Sequence, residues 1–326
     1  VAPASIVKLS VRMKESDSNL DIGWGVYNPF SLYTVRILCH KYLQPSLFTN
    51  VERLIAEDMQ SEAVYAMVYH HVKDASLARR ILIDSTKEDT DTFRLINGEG
   101  DGLSGLSIDV VGGSVAVVMS TSIWCQIHQE AIIKALKAVL PEHDVVWRVA
   151  KARLEQDGCS KLTRSLDMSD RVLSNSRRED DRVVYRENGV LFATYPFSST
   201  LTQKTGVYCD QRENRLNLAT LCTNKRVLDL CCYHGGFAIT SIVRGGAAMA
   251  TAVDSSQAAI EAAEVNAELN GIPDSRLKLV QADIAPYLQE QFSIGNDYDV
   301  VVLDPPKLAP TTKVLDKARR KYHALN

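Results

Sequence analysis

The stretch Arg226-Val227-Leu228-Asp229-Leu230-Cys231-Cys232-Tyr233-His234-Gly235-Gly236-Phe237 reads as a buried strand that runs into a glycine turn and opens a helix. The residues after it repeat that plan. Phe237–Val243 is apolar and helical and closes at Gly245-Gly246. Met249–Val253 is a strand ending in Asp254. Ser255 or Ser256 is placed to cap a helix that reaches Asn270, with Gly271 as its stop. Leu277–Ala282 is a strand ending in Asp283, a short helix runs from there to Phe292, and Tyr298–Leu303 is a strand ending in Asp304-Pro305-Pro306-Lys307. Four strands separated by helices predict an α/β, doubly wound parallel sheet over the last third of the chain.

In an open parallel sheet a ligand binds beyond the carboxyl ends of the strands. Here those ends carry a glycine turn and three aspartates. Glycine lets the backbone come close to a ligand. Asp254 is placed to accept hydrogen bonds from both ribose hydroxyls of an adenosine, and Asp283 to meet an adenine edge. The fourth strand ends in Asp304, on a loop stiffened by Pro305 and Pro306. A strand ending in aspartate is common; four such features at the correct offsets carry the weight. A nicotinamide-dinucleotide fold shares the plan, but its G-x-G-x-x-G fingerprint is not met by Cys231–Gly236, and it leaves Asp304-Pro305-Pro306-Lys307 unexplained.

Working toward the N-terminus, the texture changes twice. Residues 1–45 are strand-like, with Ile6–Met13, Trp24–Tyr27 and Tyr33–Cys39 punctuated by Asn28-Pro29. Residues 47–83 read as helical from Val51, Leu54, Ile55, Met59, Val64, Met67 and Val68. Residues 93–195 read strand–strand–helix–strand–strand, an α+β layer: Leu106–Val111 and Ser114–Ser120 around Gly112-Gly113, a helix over Ile123–Leu140, Val145–Val149, then Val183–Arg186 and Val190–Thr194 around Glu187-Asn188-Gly189. The polar segment Asp157–Asp181 reads as a loop.

The bulk numbers exclude more than they suggest. The 326 residues, 45% of them hydrophobic, suffice for two or three domains with buried cores. No apolar run approaches the roughly 18–20 residues of a membrane span. The net charge of −3 gives no global footprint for nucleic acid, although Lys151 with Arg153, Arg177 with Arg178 and Arg182, and Lys317 with Arg319, Arg320 and Lys321 form local basic clusters. Seven scattered cysteines without a C-x-x-C pair point away from zinc and from a disulfide framework, and toward a reducing intracellular compartment. The chain opens on Val1, as a processed or truncated product does.

Val227–Leu230 with Gly235-Gly236-Phe237 resembles motif I of S-adenosylmethionine (SAM)-dependent methyltransferases, and Asp254, Asp283 and Asp304–Lys307 resemble the subsequent motifs of that class. Gln203-Lys204-Thr205-Gly206-Val207-Tyr208-Cys209-Asp210-Gln211-Arg212 resembles the K-T-G-x-Y-x-D-Q-R segment of RlmI-type 23S rRNA cytosine-5 methyltransferases, and Arg94–Leu106 resembles the glycine-rich turn of that family's central domain. The resemblance covers about residue 20 onward. It implies a partial PUA-like β-barrel over 1–45, a helical linker and central α+β domain over 46–182, and a Rossmann-like class I methyltransferase domain over 183–326 that lacks its last strands.

The resemblance also implies SAM as cofactor, bordered by Tyr208, Asp210, Gln211, Arg212, Asp229, Tyr233, Gly235, Gly236, Phe237, Asp254, Asp283, Asp304 and Pro305. Arg212 and Asp210 suit the carboxylate and ammonium of the methionine end. The partner implied is ribosomal RNA, folded or single-stranded, with no membrane and with a homodimer admitted. The compartment is cytoplasmic, or plastid or mitochondrion in a eukaryote. The nucleophilic Cys of the family is expected on a strand beyond Asn326; Cys231 and Cys232 read instead as packing beside the cofactor, and Asp304 is the best chemical candidate for catalysis, placed to hydrogen-bond the target base near the methyl donor. An rRNA guanine N-methyltransferase, which needs no thiol, and a catalytically inactive RNA-binding relative remain open.

Overall fold

A computed structural model describes residues 1–13, 18–84, 89–163, 165–174, 181–198, 205–305 and 315–325. Gln203, Lys204, Arg177, Arg178, Pro306 and Lys307 lie outside these. The chain forms two compact units. One comprises Val1–Val183 with Thr194–Cys209, the other Val184–Ala193 with Asp210–Asn326.

In the first unit, β1 (Ser5–Arg12), β2 (Asn19–Tyr27) and β3 (Val35–His40) form an antiparallel sheet in the order β1-β2-β3. Helices α1 (Pro45–Ala56) and α2 (Gln60–Asp84) come next. The stretch expected to be helical over 47–83 is thus two helices, parted at Asp58. Asp58 adopts φ +59°, a left-handed stop, and Met59 N–H closes onto the Leu54 carbonyl at 2.8 Å.

Strands β4 (Phe93–Asn97), β5 (Leu106–Val111), β6 (Val115–Ser120), β7 (Asp144–Val149) and β8 (Arg171–Leu173) make a five-stranded sheet in that order, with α3 (Ile123–Ile127), α4 (Gln129–Val139) and α5 (Lys151–Gln156) in the connections. β6 and β7 run parallel; the other pairs are antiparallel. Two strands differ from the expected layer. β4 lies just before the glycine-rich turn, and β8 sits inside the stretch expected to be loop. At Gly102, φ is +74° and an added Cβ would lie 2.4 Å from the His71 ring, so the turn needs glycine there. One continuous core joins Trp24 and Leu38 of the small sheet, Met67 of α2, and Ile108 and Trp147 of the large one.

β9 (Val183–Glu187) and β10 (Val190–Thr194) were expected to extend that α+β layer, but they form a separate two-stranded sheet. Asn188 (φ +50°) and Gly189 (φ +78°) supply the two left-handed residues of a tight hairpin turn. The hairpin's body, Val184–Ala193, belongs to the second unit.

There, α6 (Arg212–Ala219), β11 (Arg226–Leu230), α7 (Gly236–Val243), β12 (Met249–Asp254), α8 (Gln257–Leu269), β13 (Leu277–Gln281), α9 (Ile284–Ser293), β14 (Val300–Leu303) and α10 (Leu315–Leu325) succeed one another. The sheet is parallel with order β13-β12-β11-β14. The order reverses beside β11, so the switch point falls at the glycine turn. The Ser256 hydroxyl caps α8 by accepting from Ala259 N–H at 3.3 Å. Gly271, at φ +62°, ends it. No described helix is long and apolar enough to cross a membrane.

Candidate cofactor site

The carboxyl ends of β11, β12 and β14 lie side by side, because Leu230 pairs with both Val253 and Leu303. The chain leaves β11 under local strain. Cys231 (φ +60°) and Tyr233 (φ +51°) are left-handed without being glycine, and Gly235 comes next at +78°. A Cβ on Gly235 would press on Ile239 Cδ1 at 3.1 Å and Ala263 Cβ at 3.2 Å, so both φ and space require glycine. Asp254 holds the strained turn in place. One of its oxygens accepts from Tyr233 N–H at 3.0 Å, the other from Ser256 N–H at 2.9 Å.

Asp229 is 1% exposed and accepts from Ala238 N–H in the first turn of α7 at 3.0 Å. Burial pushes its carboxyl up to about 7. The Ala238 N–H and Arg215 oppose this, while Asp304 and Asp254 add to it. A carboxyl raised in the fold stabilises fully below its unfolded value, near 4, and loses that contribution as pH rises through about 7. Unfolding free energy is therefore expected to fall from pH 4 to 7 with a slope of up to about 1.4 kcal/mol per pH unit from this group. Asp229→Asn should flatten the slope; an unchanged profile in denaturant titrations at several pH values rules the assignment out.

Cys231 is the first residue after β11. Burial pushes its thiol up to about 11, and the carboxylates of Asp254, Asp229, Asp304 and Asp283 all push it further the same way. The four aspartates singled out in the sequence thus lie near enough to Cys231 to act on it electrostatically. Burial likewise raises the Cys232 thiol. Neither cysteine is a ready nucleophile at neutral pH. Asp283 also caps α9, accepting from Ala285 N–H at 3.0 Å. Asp304 is exposed, with Gln211 Nε2 at 3.5 Å. Tyr233, Phe237 and Pro305 are half-buried.

The upstream motif is divided. Asp210 and Gln211 lie on a single helical turn, and Arg212 begins α6 with its Nε donating to Glu213 at 3.0 Å. Tyr208 belongs to the first unit. Of the basic clusters, Lys151 and Arg153 are exposed on α5, and Arg319 and Arg320 on α10. None of the seven cysteines is in a disulfide.

Sequence reasoning missed the groups behind the turn. Arg215 and Glu187 form a two-pronged ion pair, 2.6 Å at each prong, and each residue is only 4% exposed. The His234 ring is buried between Phe192 and Tyr233, with centroids 5.3 and 4.7 Å away, and neither ring nitrogen has a hydrogen-bond partner among the described residues. Burial, with Arg215's charge adding, lowers its pKa to about 3, so it stays neutral.

The donor set suits an adenosine bearing a cation: carboxylates for ribose hydroxyls and an ammonium, beside a bare glycine turn at the switch point. Fold and rim define a class I SAM-dependent methyltransferase domain. The family model for S-adenosylmethionine-dependent methyltransferases matches residues 167–325. A ribosomal RNA large subunit methyltransferase of Deinococcus radiodurans is 33% identical over 92% of this chain and 67% of its own length. The ribosomal RNA large subunit methyltransferase I of Pseudoalteromonas atlantica is 30% identical over 95% of this chain and 70% of its own. Among solved structures, SMU.776 complexed with SAH superposes with a TM-score of 0.71 at 19% identity, covering 99% of this chain and 75% of that one. The chain belongs to the RlmI-type family of ribosomal RNA large subunit methyltransferases.

Proposed function

We propose that this protein methylates large-subunit ribosomal RNA at carbon 5 of cytosine, with SAM held on the β11–β14 rim. The observation that carries the reading is the strained glycine turn that leaves β11, held by Asp254 beside the adjacent carboxyl ends of β12 and β14. The names of the relatives support the choice of RNA. Asp254 would take the ribose hydroxyls, Asp283 the adenine edge, and Asp210, Gln211 and Arg212 the methionine end. Tyr233, Gly235, Gly236, Phe237 and Pro305 would line the cofactor. Bound SAM supplies an electrophilic methyl group. Asp304 would orient the target base, which must leave its stack to reach the rim. Carbon 5 of cytosine is a weak nucleophile until a thiolate adds at carbon 6. The raised thiols of Cys231 and Cys232 do not suit that step, and the family resemblance places the nucleophile at neither. Residues 1–45, a PUA-like part, and 46–182, the central α+β part, would hold folded RNA through phosphates and shape.

The test is calorimetry with SAM on the full-length protein, then radiolabelled methyl transfer to unmodified large-subunit rRNA with nucleoside analysis. Micromolar SAM binding and labelled 5-methylcytosine are expected. Labelled N-methylguanine would replace the cytosine assignment, and RNA binding without SAM binding would leave an inactive relative.

A further inference from the structure

The hairpin β9–β10 grips the glycine turn from behind, and one side chain makes the connection. Asn266 is fully buried on α8. Its carbonyl oxygen accepts from Ala193 N–H of the hairpin at 2.7 Å, and its amide nitrogen donates to the His234 carbonyl of the turn at 3.0 Å. The contact has further support. Phe192 packs its ring on His234, and Glu187 fixes Arg215, whose Cδ would lie 3.2 Å from a Cβ on Gly236. The turn is the strained part of the site, and a strained backbone persists only where its surroundings hold it.

We propose that Asn266 is a positioning residue for cofactor binding, which couples the hairpin to the glycine turn. The inference rests on the reading of that turn as the SAM site. Coupling of this kind is reciprocal: what orders the turn also orders the hairpin.

The fold supplies its own control. One turn further on, at the C-cap of α8, Asn270 makes the same kind of bridge to the hairpin, accepting from Leu191 N–H at 3.0 Å and donating to the Leu191 carbonyl at 2.7 Å, without a bond to the turn. Asn266→Ala and Asn270→Ala are compared in the full-length protein by calorimetry with SAM and by thermal unfolding. Asn266→Ala is expected to weaken SAM binding about 10-fold, as loss of one buried hydrogen bond does, and Asn270→Ala about 2-fold or less for a similar loss of melting temperature. Equal effects on SAM binding overturn the proposal.

Should Asn266→Ala fail to fold, the wild-type protein decides the matter. Hydrogen exchange of the peptide spanning 184–193 should slow when SAM is added, and an unchanged rate beside measurable SAM binding overturns the proposal. Absence of SAM binding to the wild-type protein strikes the functional reading itself.

Discussion

Replacing Asp304 by alanine in the full-length protein should lower the rate of methyl transfer to rRNA on the order of 10²- to 10³-fold, with a much smaller change in SAM affinity. Asp304 ends β14, the strand beside the one that carries the glycine turn, and its carboxylate is exposed rather than spent on a backbone cap. The residue before a proline is confined to extended backbone, so Pro305 limits where that carboxylate can point. A group fixed in advance where the base must dock acts on the transition state more than on the ground state. Single-turnover rates with saturating SAM, set beside calorimetric binding, separate the two roles. An unchanged rate makes Asp304 a surface charge; a loss confined to SAM affinity makes it a cofactor ligand only.

The second large effect is on stability. Arg215→Met should destabilise the second unit by about 3–5 kcal/mol, because it leaves the Glu187 carboxylate buried without its guanidinium. The double variant Arg215→Met with Glu187→Met should recover most of that loss, since removing both charges removes the uncompensated one. Denaturant titrations of the two proteins give the answer. A single variant within about 0.5 kcal/mol of wild type would mean that solvent reaches the pair. The bridge joins β9 to α6 across 28 residues of sequence, so its loss should loosen the hairpin as well.

The parallel sheet was legible because its signals are local. An apolar run followed by aspartate or glycine, then a capped helix, repeats from Arg226 to Asp304, and Ser256 and Gly271 fall at the helix ends where their chemistry puts them. The rim was legible for the same reason, since strand ends in a parallel sheet converge by topology. The groups behind the rim were not. Arg215, Glu187 and Asn266 have the composition of ordinary helix and hairpin surface, and only tertiary packing buries them. The break after α1 carries no glycine or proline, only Asp58 in a left-handed conformation. β8 is three residues long within a polar stretch, too short for any alternation to register. The hairpin's turn was legible in Asn188-Gly189; strand spacing alone grouped the hairpin with the α+β layer, whereas the resemblance grouped it with residues 183–326, because a hairpin's sequence does not say which core it will join.

A rim with three aspartates at its strand ends is also an electrostatic sieve. Under the proposed reading the substrate is a polyanion, and its phosphates are repelled from Asp254, Asp283 and Asp304 within a Debye length of about 10 Å at 0.1 M salt. An uncharged base meets no such barrier. The same charges that favour a cationic donor therefore keep the RNA backbone at arm's length, so that only a nucleobase swung clear of its own sugar-phosphate chain comes within reach of the methyl group.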